Sequence, residues 1–150
     1  MSPLFETIRV EGGRLWHIGY HNARMNGSRR ALFAAADIID LEGAIAVPAG
    51  LGEGEFKCRV AYGETIDEVS ITPYVRKNVK TITLVEWGAL DYAHKYSDRS
   101  AIDRLLSGAG TDDILIVRNG LVTDASIANV AFFDGERWLT PASPLLGGTA

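Results

Sequence analysis

The sequence predicts an α+β chain, and three observations carry that reading. Short alternating or apolar runs are closed by Gly-Gly, Asn-Gly and Asp-Gly dipeptides, the chemistry of tight strand turns. Stretches of helical period separate groups of such runs instead of alternating regularly with them. The composition, 47% hydrophobic and 23% charged over 150 residues, suits a packed core and not a disordered chain.

Pro3 to Glu11 alternates, with Phe5, Ile8 and Val10 as its apolar members, and Gly12-Gly13 turns it into a return strand, Arg14 to Ile18. His21 to Ala36 reads as a helix whose buried stripe is Met25, Leu32 and Phe33. Asp40 to Val47 predicts a second short helix, ended by Pro48. The loop Gly50 to Gly54 leads into two strands, Phe56 to Tyr62 and Thr65 to Thr72, joined at Gly63-Glu64. Pro73 to Val79 carries Arg76-Lys77 and reads as an exposed connector. Thr81 to Glu86 is β-branched and apolar, hence a strand. Ser97 to Leu106 predicts a helix with Ser100-Ala101-Ile102-Asp103 as a loose capping box. Asp113 to Val117 and Leu121 to Thr123 form a hairpin through Asn119-Gly120. Ala128 to Phe133 and Arg137 to Thr140, around Asp134-Gly135, extend an antiparallel meander. The Gly-rich ending, Leu145 to Ala150, reads as a turn leading into chain beyond it, so the expectation is a truncated chain.

Several function classes are excluded. Lys and Arg number 15 against 19 Asp and Glu, a formal charge of −4, which argues against a nucleic-acid partner. Cys58 has no second cysteine for a disulfide, and His17, His21 and His94 show no metal-ligand spacing, so no metal is expected. No basic-then-apolar leader opens the chain and no run approaches the ~20 apolar residues of a membrane span, so the expectation is a cytoplasmic protein without a membrane partner. Phosphate-loop, dinucleotide and nucleophile-elbow patterns are missing.

Four segments could carry chemistry. Lys95 lies between a strand and a helix, and a lysine amine can form a Schiff base with an aldehyde cofactor; taken alone, it reads as an exposed surface lysine near a helix start. His21 and Arg24 share a helix face, and an Arg fork suits a phosphate; the plain alternative is a solvated face continued by Arg29 and Arg30. Asp124, in Thr123 to Asn129, could accept a proton from a heteroaromatic nitrogen, or be an ordinary turn residue. Leu145 to Ala150 could offer backbone N–H groups to an anion.

In this order the four segments resemble the class IV, fold-type-IV family of pyridoxal-phosphate enzymes, which includes branched-chain and D-amino-acid aminotransferases and aminodeoxychorismate lyase. Phe5-Glu6-Thr7-Ile8-Arg9 resembles its first strand, and His21-Asn22-Ala23-Arg24 its His-x-x-Arg helix. Lys95-Tyr96-Ser97-Asp98-Arg99 resembles its Schiff-base lysine segment, and Val122-Thr123-Asp124 with Ala128-Asn129-Val130 its Val-Thr-Glu…Ala-Asn-Leu segment. Leu146-Gly147-Gly148-Thr149-Ala150 resembles its phosphate turn.

The resemblance implies an aminotransferase acting on a small amino acid and a keto acid, with pyridoxal 5′-phosphate as cofactor. It implies Lys95 as the internal aldimine and proton shuttle, and Arg24 on the phosphate with the backbone N–H groups of Thr149 and Ala150. Leu146 would pack on the pyridine ring and Asp124 would pair with its nitrogen, while Tyr96 or Arg99 would reach the 3′-oxygen. A β-eliminating lyase and a non-catalytic, binding or dimerising descendant are the alternatives. The implied architecture is two-lobed: an N-terminal α+β lobe over 1–75, a connector over 76–79, and an incomplete β-rich lobe over 80–150, with a homodimer expected. Two departures stand out. Asp124 replaces the usual glutamate, and Thr149-Ala150 stand where the family has Ile-Thr.

Overall fold

Gly12 and Gly13 take φ values of 57° and 73° in the computed structural model, which describes residues 3–88 and 92–149. These are the angles that let two adjacent strands reverse without splaying. They join β1 (Leu4–Glu11) to β2 (Arg14–Leu15), with Val10 opposite Leu15. Helix α1 (Ile18–Phe33) follows, then the single turn α2 (Leu41–Ala44), whose N-cap Asp40 accepts from the Glu42 N–H at 3.2 Å. Strands β3 (Glu55–Tyr62) and β4 (Ile66–Pro73) complete an antiparallel sheet of order β2-β1-β3-β4.

One face of that sheet is the core: Leu4, Ile8, Val10, Cys58, Val60 and Tyr62 are buried against Met25 of α1 and Leu41 of α2. Period-two alternation then fixes the other face, where Phe5 pairs across from Ala61, Thr7 from Arg59 and Arg9 from Lys57.

A second set of elements begins with β5 (Ile82–Glu86), runs through α3 (Ser100–Ala109), and returns as β6 (Asp113–Arg118) parallel to β5. Such a parallel pair needs a crossover, which α3 supplies with Ile102 buried. Asn119 and Gly120, at φ 54° and 76°, turn β6 into β7 (Leu121–Ala125). Strands β8 (Phe132–Phe133) and β9 (Trp138–Leu139) form a small exposed hairpin.

Among the described residues, two compact units result. The first holds residues 3–76, 94–97 and 149, and the second holds 77–88, 92–93 and 98–148. No helix among the described residues is long and apolar enough to cross a membrane.

The structure corrects the sequence reading at several points. β1 buries Leu4, Glu6, Ile8 and Val10, so Phe5 faces away from the core and a carboxylate takes an apolar position. α1 begins at Ile18, three residues early, and Leu32 is 42% exposed, outside the buried stripe. Arg29 is no part of a solvated face; it is 1% exposed and donates to Asn26, Asp37 and the Glu64 carbonyl. The Asp40–Val47 helix shrinks to one turn. The capping box is absent: Asp98, two residues before the expected cap, accepts from the Ser100 N–H at 2.9 Å. Of Ala128 to Phe133 only two residues are strand.

Candidate active site

The first cluster is built on the inward carboxylate of β1. Glu6 is fully buried, and α1 lays His21 and Arg24, three residues apart, over it. The Arg24 fork is bidentate, Nε to Oε1 at 2.9 Å and its second nitrogen to Oε2, while His21 Nδ1 lies 2.7 Å from Oε2. Burial by itself would raise the Glu6 carboxyl, but the hydrogen bonds from His21 and Arg24 and the guanidinium charge outweigh it, holding it below its ordinary value. Glu6 thereby fixes the plane of Arg24.

Lys95 lies beside the start of β1. Its carbonyl accepts from the Phe5 N–H at 3.0 Å, Leu4 and Tyr96 form a bridge, and the Ser97 N–H donates to the Pro3 carbonyl at 2.8 Å. The neighbours of Lys95 turn inward: His94 Nδ1 is 2.9 Å from the buried Ser28 hydroxyl, and Tyr96 packs on the core. Lys95 points the other way, its Nζ 5.1 Å from the centre of the Phe5 ring. The Arg59 guanidinium stands over the same ring at 4.7 Å and forms no ion pair among the described residues. Two cations thus stand over one aromatic ring, each attracted to its electron density.

Asp124 anchors a turn in the second unit. It is 5% exposed; Oδ2 accepts from the Leu145 and Leu146 N–H groups at 2.7 and 3.1 Å, and Oδ1 from Asn129 Nδ2 at 2.6 Å. Asn129 also donates to the Leu146 carbonyl at 3.0 Å. A Cβ on Gly148 would come within 2.7 Å of Asn129 Oδ1, so the close approach demands glycine. The loop leaving β7 is fixed from below by Asp113, whose Oδ1 accepts from the Ser126 N–H at 3.2 Å, and from the side by Arg99, which donates to the Ser126 carbonyl.

The structure therefore brings Asp124 and Leu146 into direct contact. Arg24 and Lys95 share the first unit and engage adjacent residues, Glu6 and Phe5, whose Cα atoms are about 3.8 Å apart but whose side chains point to opposite faces of β1. Thr149 is half-buried and Ala150 lies outside the described residues. Arg99 is committed to Ser126 and Tyr96 to the core. Sequence reasoning gave no role to Glu6, Arg59, Ser28 and His94, and quoted Asn129 only as part of a motif. Of the first four, Glu6 had a usable signal, a charge at an even, inward position of an alternating strand.

The chemistry of these donors suits pyridoxal phosphate. A carboxylate offers about four acceptor sites, and three donors occupy Asp124, which leaves capacity for a ring N–H. The guanidinium held flat by Glu6 has the geometry that grips a phosphate.

No family model matches the chain. An uncharacterised protein of Haemophilus influenzae (strain ATCC 51907 / DSM 11121 / KW20 / Rd) is 38% identical over 99% of this chain and 81% of its own length. The crystal structure of a protein from Haemophilus somnus 129pt, provisionally assigned as a 4-amino-4-deoxychorismate lyase, is 36% identical with a TM-score of 0.91, over 99% of this chain and 80% of that one. A hypothetical aminotransferase from Mycobacterium tuberculosis, in its PLP-bound form, has the same fold at 20% identity, with a TM-score of 0.77 over 99% of this chain and 64% of that one. It also occurs in a form with α-ketoglutarate and PMP bound. On the strength of the relatives above one-third identity, which extend over nearly all of its residues, the chain belongs to the class IV, fold-type-IV family of pyridoxal-phosphate-dependent aminotransferases and lyases.

Proposed function

We propose that this enzyme is a class IV aminotransferase that moves an amino group between a small amino acid and a keto acid, as a homodimer in the cytoplasm. The observation that carries the reading is that the Lys95 amine and the Arg59 guanidinium both stand over the Phe5 ring, an amine and a carboxylate-seeking group on one side chain. When bound, pyridoxal phosphate supplies an aldehyde and a cationic ring that takes up electron density from the substrate α-carbon. Lys95 would hold that cofactor and move the proton at the α-carbon. Arg24 would take its phosphate, with the N–H groups of Thr149 and Ala150, while Asp124 would accept the ring N–H and Leu146 would pack on the ring. Arg59 would orient the donor by its carboxylate, the recognition group that motif reading leaves unassigned.

A lyase-type β-elimination is the second reading, favoured by the provisional assignment of the Haemophilus somnus relative. Acceptor dependence separates the two. Titrating the cofactor-loaded protein with D- and then L-amino acids should change its visible spectrum for one enantiomer, and product should form only when a keto acid is added. Turnover of an amino compound without any acceptor would replace this reading with the lyase. An unchanging spectrum with every donor would sink both.

Arg59→Gln should raise the KM for the amino-acid donor about 10- to 100-fold, the worth of a charge-assisted hydrogen bond, with a smaller change in kcat. Cofactor affinity should stay at the wild-type level. Equal KM values for variant and parent would remove Arg59 from donor binding.

A further inference from the structure

We infer that the hydrogen bond between Ser28 and His94 is a register pin that decides which face of the sheet receives the Lys95 amine, making both residues positioning residues. The 94–97 segment has no regular strand structure beyond its single bridge to Leu4. Its backbone bonds to Phe5 and Pro3 carry no side-chain information, and a slip of one residue would exchange every side chain between faces. That slip would drive the Lys95 ammonium toward the apolar core beneath α1 and turn His94 and Tyr96 outward. Side chains have to forbid it.

Ser28 is suited to that task. It is 3% exposed on the inner side of α1, and its hydroxyl reaches 2.9 Å across to His94 Nδ1, 66 residues away in sequence. A serine inside a helix ordinarily turns its hydroxyl to the carbonyl four residues back, as Ser107 does in α3 at 2.7 Å from the Asp103 oxygen. Ser28 is bonded outward instead. In the slipped register its buried hydroxyl would lose this partner and keep only the neighbouring Tyr62 hydroxyl, a poorer arrangement for a buried polar group. The His94 ring also meets Tyr96 edge-on, 5.9 Å between centroids at 83°, so the two inward side chains flanking Lys95 brace each other.

The functional meaning of the pin rests on the reading of Lys95 as the cofactor-bearing amine, but its physical test does not. The measurement is amide hydrogen exchange at Phe5 and Ser97 in the full chain without cofactor. Ser28→Ala and His94→Phe remove the bond, while Ser28→Thr and His94→Asn retain a hydrogen-bonding atom. Each removing variant should speed exchange at both amides about 5- to 10-fold, as expected for one net hydrogen bond. The mid-strand amides of β1 and β3 should keep wild-type rates. The double variant, Ser28→Ala with His94→Phe, should be no faster than either single, and the two retaining variants should stay near wild type.

Unchanged exchange, multiplying effects in the double variant, equal loosening in the retaining variants, or faster exchange throughout the sheet would each overturn the pin. Borohydride trapping of added pyridoxal phosphate, mapped by peptide mass, tests the amine separately. Lys95 labelling slower in Ser28→Ala than in Ser28→Thr is the expected result. A wild-type chain not labelled at Lys95 would overturn the functional reading and leave the exchange result standing.

Discussion

Lys95→Ala is expected to yield a folded chain that takes up no covalently attached cofactor. The visible absorbance band of the lysine-bound cofactor should be missing, borohydride should trap nothing, and turnover should fall by roughly 10²- to 10⁴-fold, the contribution of one positioned proton-transfer group. Stability should change little, because the backbone bonds of the segment to Phe5 and Pro3 remain. Lys95→Arg sharpens the test. It keeps a cation over the Phe5 ring and removes the nucleophilic amine, so it should restore the charge without restoring colour or turnover. A coloured, trappable Lys95→Ala protein would end the assignment of this residue.

The largest expected stability effect belongs to Glu6→Gln. The carboxylate is fully buried and is the shared partner of Arg24 and His21, so neutralising it removes the charge that both of them face. Breaking a buried pair by removing one partner costs about 3–5 kcal/mol, which a urea or thermal unfolding curve at neutral pH would read directly. The pH dependence follows from the same bond. The folded-state carboxyl lies below its ordinary value of 4.5, so the unfolded chain takes the proton first as acid is added. The stabilisation is therefore complete above the ordinary value and is lost as pH falls through the depressed folded value. Wild type and Glu6→Gln should converge in acid and differ most at neutral pH. Equal stabilities at pH 7 would mean that the pair contributes nothing net.

Much of the local structure was legible because its causes are local. Gly12-Gly13 and Asn119-Gly120 mark their turns, since few other residues tolerate those φ angles. His21 and Arg24 were correctly set on one helix face by their spacing alone. The misses share a cause as well. Phe5 was grouped with Ile8 and Val10 as an apolar member of the run, yet burial follows parity, and parity with Ile8 and Val10 belongs to Glu6. The plain alternative that put Arg29 on a solvated face fails because Glu64 and Asp37 fold back over it, which nothing in its neighbourhood announces. Asn119-Gly120 located a hairpin, but the parallel pairing of β5 with β6 depends on where α3 packs, which no dipeptide encodes.

The candidate site divides along the same line. Which residues are candidates for it was a matter of order along the chain: Arg24, Lys95, Asp124 and the turn at Leu146 resemble the family's motifs in their order, and order survives without coordinates. Tertiary structure alone decided what each of them touches. It placed Glu6 under Arg24, put both Arg59 and Lys95 over the Phe5 ring, and tied Asp124 to the Leu145–Leu146 backbone through partners 21 and 22 residues away. The reason is physical: a turn or a helix face is fixed by torsions within a few residues, whereas hydrogen bonds and charges are satisfied by whatever burial brings near, and burial belongs to the whole fold.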